Sequence, residues 1–148
     1  MADKTWEMPD GIYTALVTPF KGGQVDRKAW LTLVQRQIDA KVAGIVPVGC
    51  TGEAGVLDAE EREWLVRTAV DMCRGRCAVV AGSGSNSTAL TLELTAKVKQ
   101  WGADAAMLIS PYYNKPQQHG LLAHYRTVAR AVDVPIVLYN VPIFTMLN

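Results

Sequence analysis

Five short apolar runs recur along the chain, at residues 12–17, 45–48, 78–81, 105–109 and 136–139. They are nearly continuous in apolar residues rather than alternating with polar ones, the pattern of parallel strands covered on both faces. Longer stretches with helical spacing separate them. Over residues 26–41, Trp30, Leu33, Val34 and Ile38 form one stripe and leave Arg27, Lys28 and Arg36 for solvent. Asp58-Ala59-Glu60-Glu61 is a capping-box variant that opens a helix to about Arg74, with Trp64, Leu65, Thr68 and Met72 as its inner face. Ser87 or Thr88 opens a third helix carrying Leu92, Leu94, Val98 and Trp101, and Gly102 stops it. A fourth is expected from about Gln118 to Val132, with Pro135 closing the loop behind it.

Strands alternating with helices over a repeat of about 30 residues form βαβ units, which build a parallel sheet covered by helices. The pattern predicts one α/β domain over residues 1–148, with five parallel strands, four helices and no low-complexity linker. Two architectures accommodate it: an open doubly wound sheet, or the first half of a (β/α)8 TIM barrel, which as a whole takes about 250 residues. Periodicity does not choose between them.

Unusual residues follow every predicted strand: Thr18-Pro19, then Gly49-Cys50-Thr51-Gly52-Glu53, Gly82-Ser83-Gly84-Ser85-Asn86, Pro111-Tyr112-Tyr113-Asn114-Lys115-Pro116, and Asn140-Val141-Pro142. In either architecture the carboxyl ends of strands and the following helix N-termini converge on the ligand-binding face. Gly49 and Gly52 allow a carboxylate to approach backbone N–H groups and Thr51 adds a hydroxyl donor, so this turn suits a small anion such as an α-keto acid. A plain tight turn requiring positive φ is its other use. Tyr139 ends the fifth strand with its hydroxyl at the expected pocket floor, and a tyrosine relays protons where a neighbour lowers its pKa from about 10; an ordinary core tyrosine is its other reading. For Tyr112 and Tyr113 packing or interface roles stay open on these residues alone.

Composition narrows the function by exclusion. The chain has 148 residues, 49% hydrophobic and 20% charged, as in an ordinary globular protein. A net charge of +1 with interleaved signs offers no footprint for nucleic acid or an anionic membrane. No apolar run approaches the ~18 residues of a membrane span, and the charged stretch 1–10 lacks a secretory core, so a cytoplasmic protein is expected. Three cysteines, Cys50, Cys73 and Cys77, argue against a disulfide framework, and Cys73-x3-Cys77 lacks a second close pair to complete a metal site. There is no Gly-x-Ser-x-Gly elbow, and His119 and His124 have no nucleophile beside them. The glycine loop at 82–86 lacks a third glycine and follows the third strand, unlike a nicotinamide-binding fingerprint.

Taken in order over about residues 10–142, the strand-end motifs together with Gly11-Ile12-Tyr13-Thr14-Ala15-Leu16-Val17 resemble the 4-hydroxy-tetrahydrodipicolinate synthase and N-acetylneuraminate lyase superfamily. The Tyr-Tyr-Asn-Lys-Pro loop favours the synthase branch. The resemblance implies a homotetrameric barrel whose N-terminal half is this chain, with a sixth-strand lysine forming a Schiff base with pyruvate. The enamine then attacks aspartate semialdehyde in lysine biosynthesis, without metal or organic cofactor. It assigns Thr51, Gly49 and Gly52 to the pyruvate carboxylate, Tyr139 to proton transfer at the Schiff base, and Tyr113 to a relay reaching into the neighbouring subunit.

Three departures accompany it. Cys50 stands where the family has Thr or Ser, and a thiol is the weaker hydrogen-bonding group. Phe144 replaces an arginine that helps bind the second substrate and makes no bidentate carboxylate contact. The sequence reaches Asn148 without a sixth strand, and Lys115 reads as a solvated loop lysine, so the isolated chain is expected to be inactive. Its edge strands and apolar interior would face solvent. The alternative reading is a non-catalytic half-barrel that self-associates, or binds a keto acid or a full-length homologue.

Overall fold

In chain order the elements are β1 (Tyr13–Ala15), β2 (Phe20–Lys21), β3 (Gln24–Val25), α1 (Arg27–Asp39), β4 (Gly44–Val46), a 3-10 turn (Ala54–Val56), α2 (Ala59–Cys73), β5 (Ala78–Gly82), α3 (Thr88–Gln100), β6 (Ala105–Ile109), α4 (Gln118–Ala131), β7 (Ile136–Tyr139) and α5 (Pro142–Thr145). The computed structural model describes residues 7–147, so much of the N-terminal stretch read for a leader lies outside the described residues. All five apolar runs become strands of one parallel sheet, and its spatial order, β1-β4-β5-β6-β7, follows the chain. A doubly wound sheet reverses its order part-way. This one does not, which decides for the barrel half.

Two elements were missing from the sequence reading. Phe20 pairs with Val25 and Lys21 with Gln24 in an antiparallel hairpin, turned by Gly22 and Gly23 at φ 61° and 79°. Positive φ at both central positions is the type I′ geometry that matches strand twist, and it favours glycine. The other is the single turn α5, opened by Pro142, so five helices replace the four expected.

The core lies between the sheet and its helices. Ile45, Val79, Ala81 and Ala106 from the strands meet Trp30, Val34, Leu65, Val66 and Val98 from α1, α2 and α3. Fully burying the valine, leucine and isoleucine side chains among them stabilises the fold by about 1.5–3 kcal/mol each. The capping box opening α2 is complete: Glu61 N–H donates to Asp58 Oδ1 at 2.8 Å and Asp58 N–H to Glu61 Oε2 at 3.1 Å. Such a cap contributes about 1 kcal/mol.

Two helix faces differ from expectation. In α2 the buried residues are Leu65, Val66, Ala69 and Cys73, so the stripe is rotated from the predicted one. Trp64 is half-buried and packs against the core at its margin, with the Arg27 guanidinium 4.8 Å from its ring centroid. Thr68 faces α1, accepting from Trp30 Nε1 at 3.2 Å. In α3 the buried positions are Thr91, Thr95 and Val98, while Leu92 and Leu94 are half-buried. Apolar residues are exposed at both margins of the sheet, Ile12 just before β1 at 71% and Leu138 of β7 at 59%, as expected for a sheet with two raw edges.

His124 of α4 is buried, with Nδ1 2.9 Å from Thr88 Oγ1 and Nε2 buried without a partner. Burial disfavours the imidazolium and lowers its pKa from the ordinary value near 6.5. The folded state therefore binds fewer protons than the unfolded one, and the associated stability, present above about pH 6.5, is lost as pH falls toward the lowered folded value. Urea midpoints should hold steady from pH 8 to 7 and decline below about pH 6.5. His124→Asn should flatten that decline; an unchanged profile would assign the acid sensitivity to other groups.

Candidate active site

The loops after the parallel strands meet at the carboxyl edge of the sheet because backbone packs directly on backbone there. A Cβ on Gly82 would lie 2.2 Å from the Val48 carbonyl oxygen, and one on Gly84 2.3 Å from the Ile109 amide nitrogen. No side chain fits at either position. Gly49 and Gly52 have ordinary negative-φ backbone, so the positive-φ turn considered for them is not what they provide. Gly52 instead lets its turn close against Leu16, whose carbonyl oxygen would lie 3.0 Å from an added Cβ. Buried Thr18 Oγ1 donates to the Gly52 carbonyl at 2.7 Å, tying the loop after β1 to the loop after β4. Gly52 and Glu53 N–H groups turn back onto the carbonyls of Gly49 and Cys50 at 3.1 and 3.0 Å.

These loops enclose a cavity of about 750 Å³. Gly49, Cys50, Tyr113 and Tyr139 line it, with Met107 and Ile109 from the end of β6. Thr51 is exposed and stands outside that lining, as does buried Gly52. Phe144 and Ile143 of α5 form an apolar wall. Glu53 and Arg62 are the charged lining residues, and no lysine is among them; Lys115 is exposed at φ 48°. The Arg62 guanidinium donates to the Ala54 carbonyl. Burial lowers its pKa while nearby Tyr112 opposes that shift. Among the described residues no cluster of three or more His, Cys, Asp or Glu side chains could hold a metal.

The tyrosine loop is held from both sides. Asn114 Nδ2 donates to the Asn86 carbonyl at 2.7 Å, and Ser110, just after β6, hydrogen-bonds the Tyr125 hydroxyl at 2.8 Å. Tyr113 adopts φ 69°, a costly conformation for a bulky side chain, and is 87% exposed. Behind the glycine loop lies a polar latch that the sequence reading missed. Ser83 Oγ is 2.9 Å from Thr95 Oγ1, and Ser85 N–H donates to Thr91 Oγ1 at 3.1 Å, all four residues buried. Threonine at two positions one helical turn apart, facing a Ser-Gly-Ser loop, was the available signal.

A parallel sheet wound in chain order, with one cavity at its carboxyl edge, defines half of a (β/α)8 barrel of the enzyme-bearing kind. The chain belongs to the Dihydrodipicolinate synthetase family, which it matches over residues 8–148. It is 52% identical over 138 residues to the 4-hydroxy-tetrahydrodipicolinate synthase of Phenylobacterium zucineum, covering 93% of this chain and 47% of that protein. The chloride-inhibited dihydrodipicolinate synthase of Acinetobacter baumannii, solved in complex with pyruvate, superimposes with a TM-score of 0.89 at 45% identity, covering 92% of this chain and 47% of that one. A monomeric dihydrodipicolinate synthase variant gives 0.93 at 40% identity over 95% and 47%. The chain thus spans about half the length of the relatives it matches.

Thr95→Val tests the latch. It leaves the buried Ser83 hydroxyl short of a partner and should cost about 1–3 kcal/mol in urea unfolding. A change inside experimental error would reduce the latch to ordinary packing.

Proposed function

We propose that this chain carries the pyruvate-binding and proton-relay half of a class I aldolase-type lyase, acting in the cytoplasm on pyruvate and aspartate semialdehyde in lysine biosynthesis. The observation that supports this most directly is that Cys50, Tyr113 and Tyr139 line one cavity with Gly49, in a fold matched by a pyruvate-bound relative. Gly49 and Gly52 shape the turn against which the keto-acid carboxylate rests, and Thr51, at its solvent side, supplies the hydroxyl donor. Tyr139 passes protons at the Schiff base: it gives one to the departing hydroxyl as the carbinolamine dehydrates and takes one when the imine becomes an enamine. Tyr113 is exposed and strained in the direction of solvent, which fits a residue that completes the relay in a neighbouring subunit of a homotetramer. No metal or organic cofactor is required for this chemistry. Among the described residues no helix is long and apolar enough to cross a membrane.

The reacting lysine in this reading lies on a sixth strand, and none of the lining residues present replaces it. Incubating these 148 residues with pyruvate and borohydride should therefore leave their intact mass unchanged. An adduct would overturn the assignment and direct attention to Lys115. When a polypeptide carrying the remaining strands of a family member restores turnover, Tyr139→Phe should lower kcat by about 100-fold, the scale of a lost general acid–base group. Unchanged turnover would remove Tyr139 from the relay. Cys50→Thr in the same assembly should be neutral or activating.

A second reading is favoured by the exposed Ile12, just before β1, and Leu138 of β7. In it the chain is a non-catalytic half-barrel that covers those edges by self-association or on a full-length homologue, with or without a keto acid bound. Sedimentation that gives a monomer at tens of micromolar would weigh against self-association.

A further inference from the structure

The amino-terminal edge of the sheet, opposite the candidate active site, holds a second depression of about 810 Å³. Cys73 and Cys77 both line it. Cys73 is the last residue of α2, and Cys77 immediately precedes β5. The chain reverses between them through Gly75 at φ 71°, and the Arg76 and Cys77 N–H groups both donate to the Cys73 carbonyl, at 2.7 and 3.2 Å. This turn brings the two residues to the same rim of the depression. Cys73 is 1% exposed while Cys77 is half-buried, and Cys50 lies away at the other edge of the sheet.

We propose that Cys73 and Cys77 are a redox modification site, forming a reversible disulfide that ties the end of α2 to the start of β5. The turn holds the two Cα atoms close before any reaction, which is the backbone part of the geometric requirement for a crosslink. The more accessible thiol starts the exchange. Cys77 attacks a small-molecule disulfide, forming a mixed disulfide and releasing one thiol. Cys73 then attacks the Cys77 sulfur and releases the second thiol, so two protein thiols are oxidised and one external disulfide is reduced. Burial, followed by the neighbouring Cys77 thiol, pushes the Cys73 pKa up, with Arg76 acting in the opposite sense. Cys73 therefore persists as a thiol near neutral pH and suits the resolving role, in which proximity offsets a small thiolate fraction. A disulfide framework of the secreted kind is not implied; the pairing depends on redox conditions.

The test is equilibration of the full 148-residue chain with oxidised and reduced glutathione in native buffer and, separately, in urea, followed by iodoacetamide, intact mass and peptide mapping. The expected product has lost two hydrogens, alkylates at Cys50 alone and maps as a Cys73–Cys77 link. Its equilibrium constant should be higher in the native chain than in urea by on the order of tenfold, because the fold holds the sulfurs together. As an independent readout, phenylarsine oxide should bind the native chain one to one, and Cys77→Ser should abolish that binding. Three alkylated cysteines after oxidation, a link through Cys50, or an equilibrium constant in native buffer equal to or below that in urea would overturn the proposal.

Discussion

Direct contact of backbone on backbone at Gly82 and Gly84 is the constraint on which the ligand face depends. A methyl group at Gly82 would occupy the space of the Val48 carbonyl, and one at Gly84 that of the Ile109 amide. Because neither position carries a side chain, the loops after β4, β5 and β6 close to van der Waals contact. Cys50, Tyr139 and the tyrosine loop then share one cavity. Without these approaches the same strands could pair in the same order, yet the loops would be splayed.

That proximity requires polar groups of the loops to be buried, and three of these are satisfied by nearby threonines. Thr18 takes the Gly52 carbonyl, Thr95 meets Ser83, and Thr91 meets the Ser85 amide. Leaving any one of these partners unmatched would cost about as much as a buried apolar side chain contributes. The result is a face whose loops are fixed by two threonines of α3 and by Thr18 of the loop after β1. The side chains of Cys50, Tyr113 and Tyr139, which the proposed function assigns to the relay, make no hydrogen bond to other side chains or to backbone among the described residues. A rigid support with unengaged polar groups is what pre-organised acid–base chemistry needs.

Much of this was legible in the sequence. Continuous apolar runs give buried parallel strands, so all five were found, and Asp58 with Glu61 announced the α2 cap. Periodicity did not choose between barrel half and doubly wound sheet, because strand order is a long-range property that no local period encodes; the ordered strand-end motifs, through the family they resemble, pointed to the barrel half that the strand order bears out. Helix faces were misread where polar residues displaced apolar ones: Thr91 and Thr95 are buried on α3 in preference to Leu92 and Leu94, since only a hydroxyl can latch the serine loop. The Gly22-Gly23 hairpin was missed for the opposite reason. Its signal was present, but its two-residue strands are too short to show alternation.

The two edges of the sheet are specialised by the same topology. At the carboxyl edge, loops run on into helix N-termini, and glycines, hydroxyls and tyrosines gather around an open cavity. At the amino edge, helices end and strands begin, so the chain must turn tightly within a few residues. Arg74 to Arg76 make one such turn, and it places Cys73 against Cys77. Asp104 makes the neighbouring one, accepting from the Val79 amide at 2.8 Å while its own N–H donates to the Val79 carbonyl at 3.0 Å. A covalent change at this edge would act on a segment already held by backbone hydrogen bonds. It would alter how firmly α2 and β5 are joined without entering the cavity where Tyr139 and Cys50 lie. Chemistry at one edge and covalent modification at the other can coexist because the core of Ile45, Val79 and Ala81 separates them.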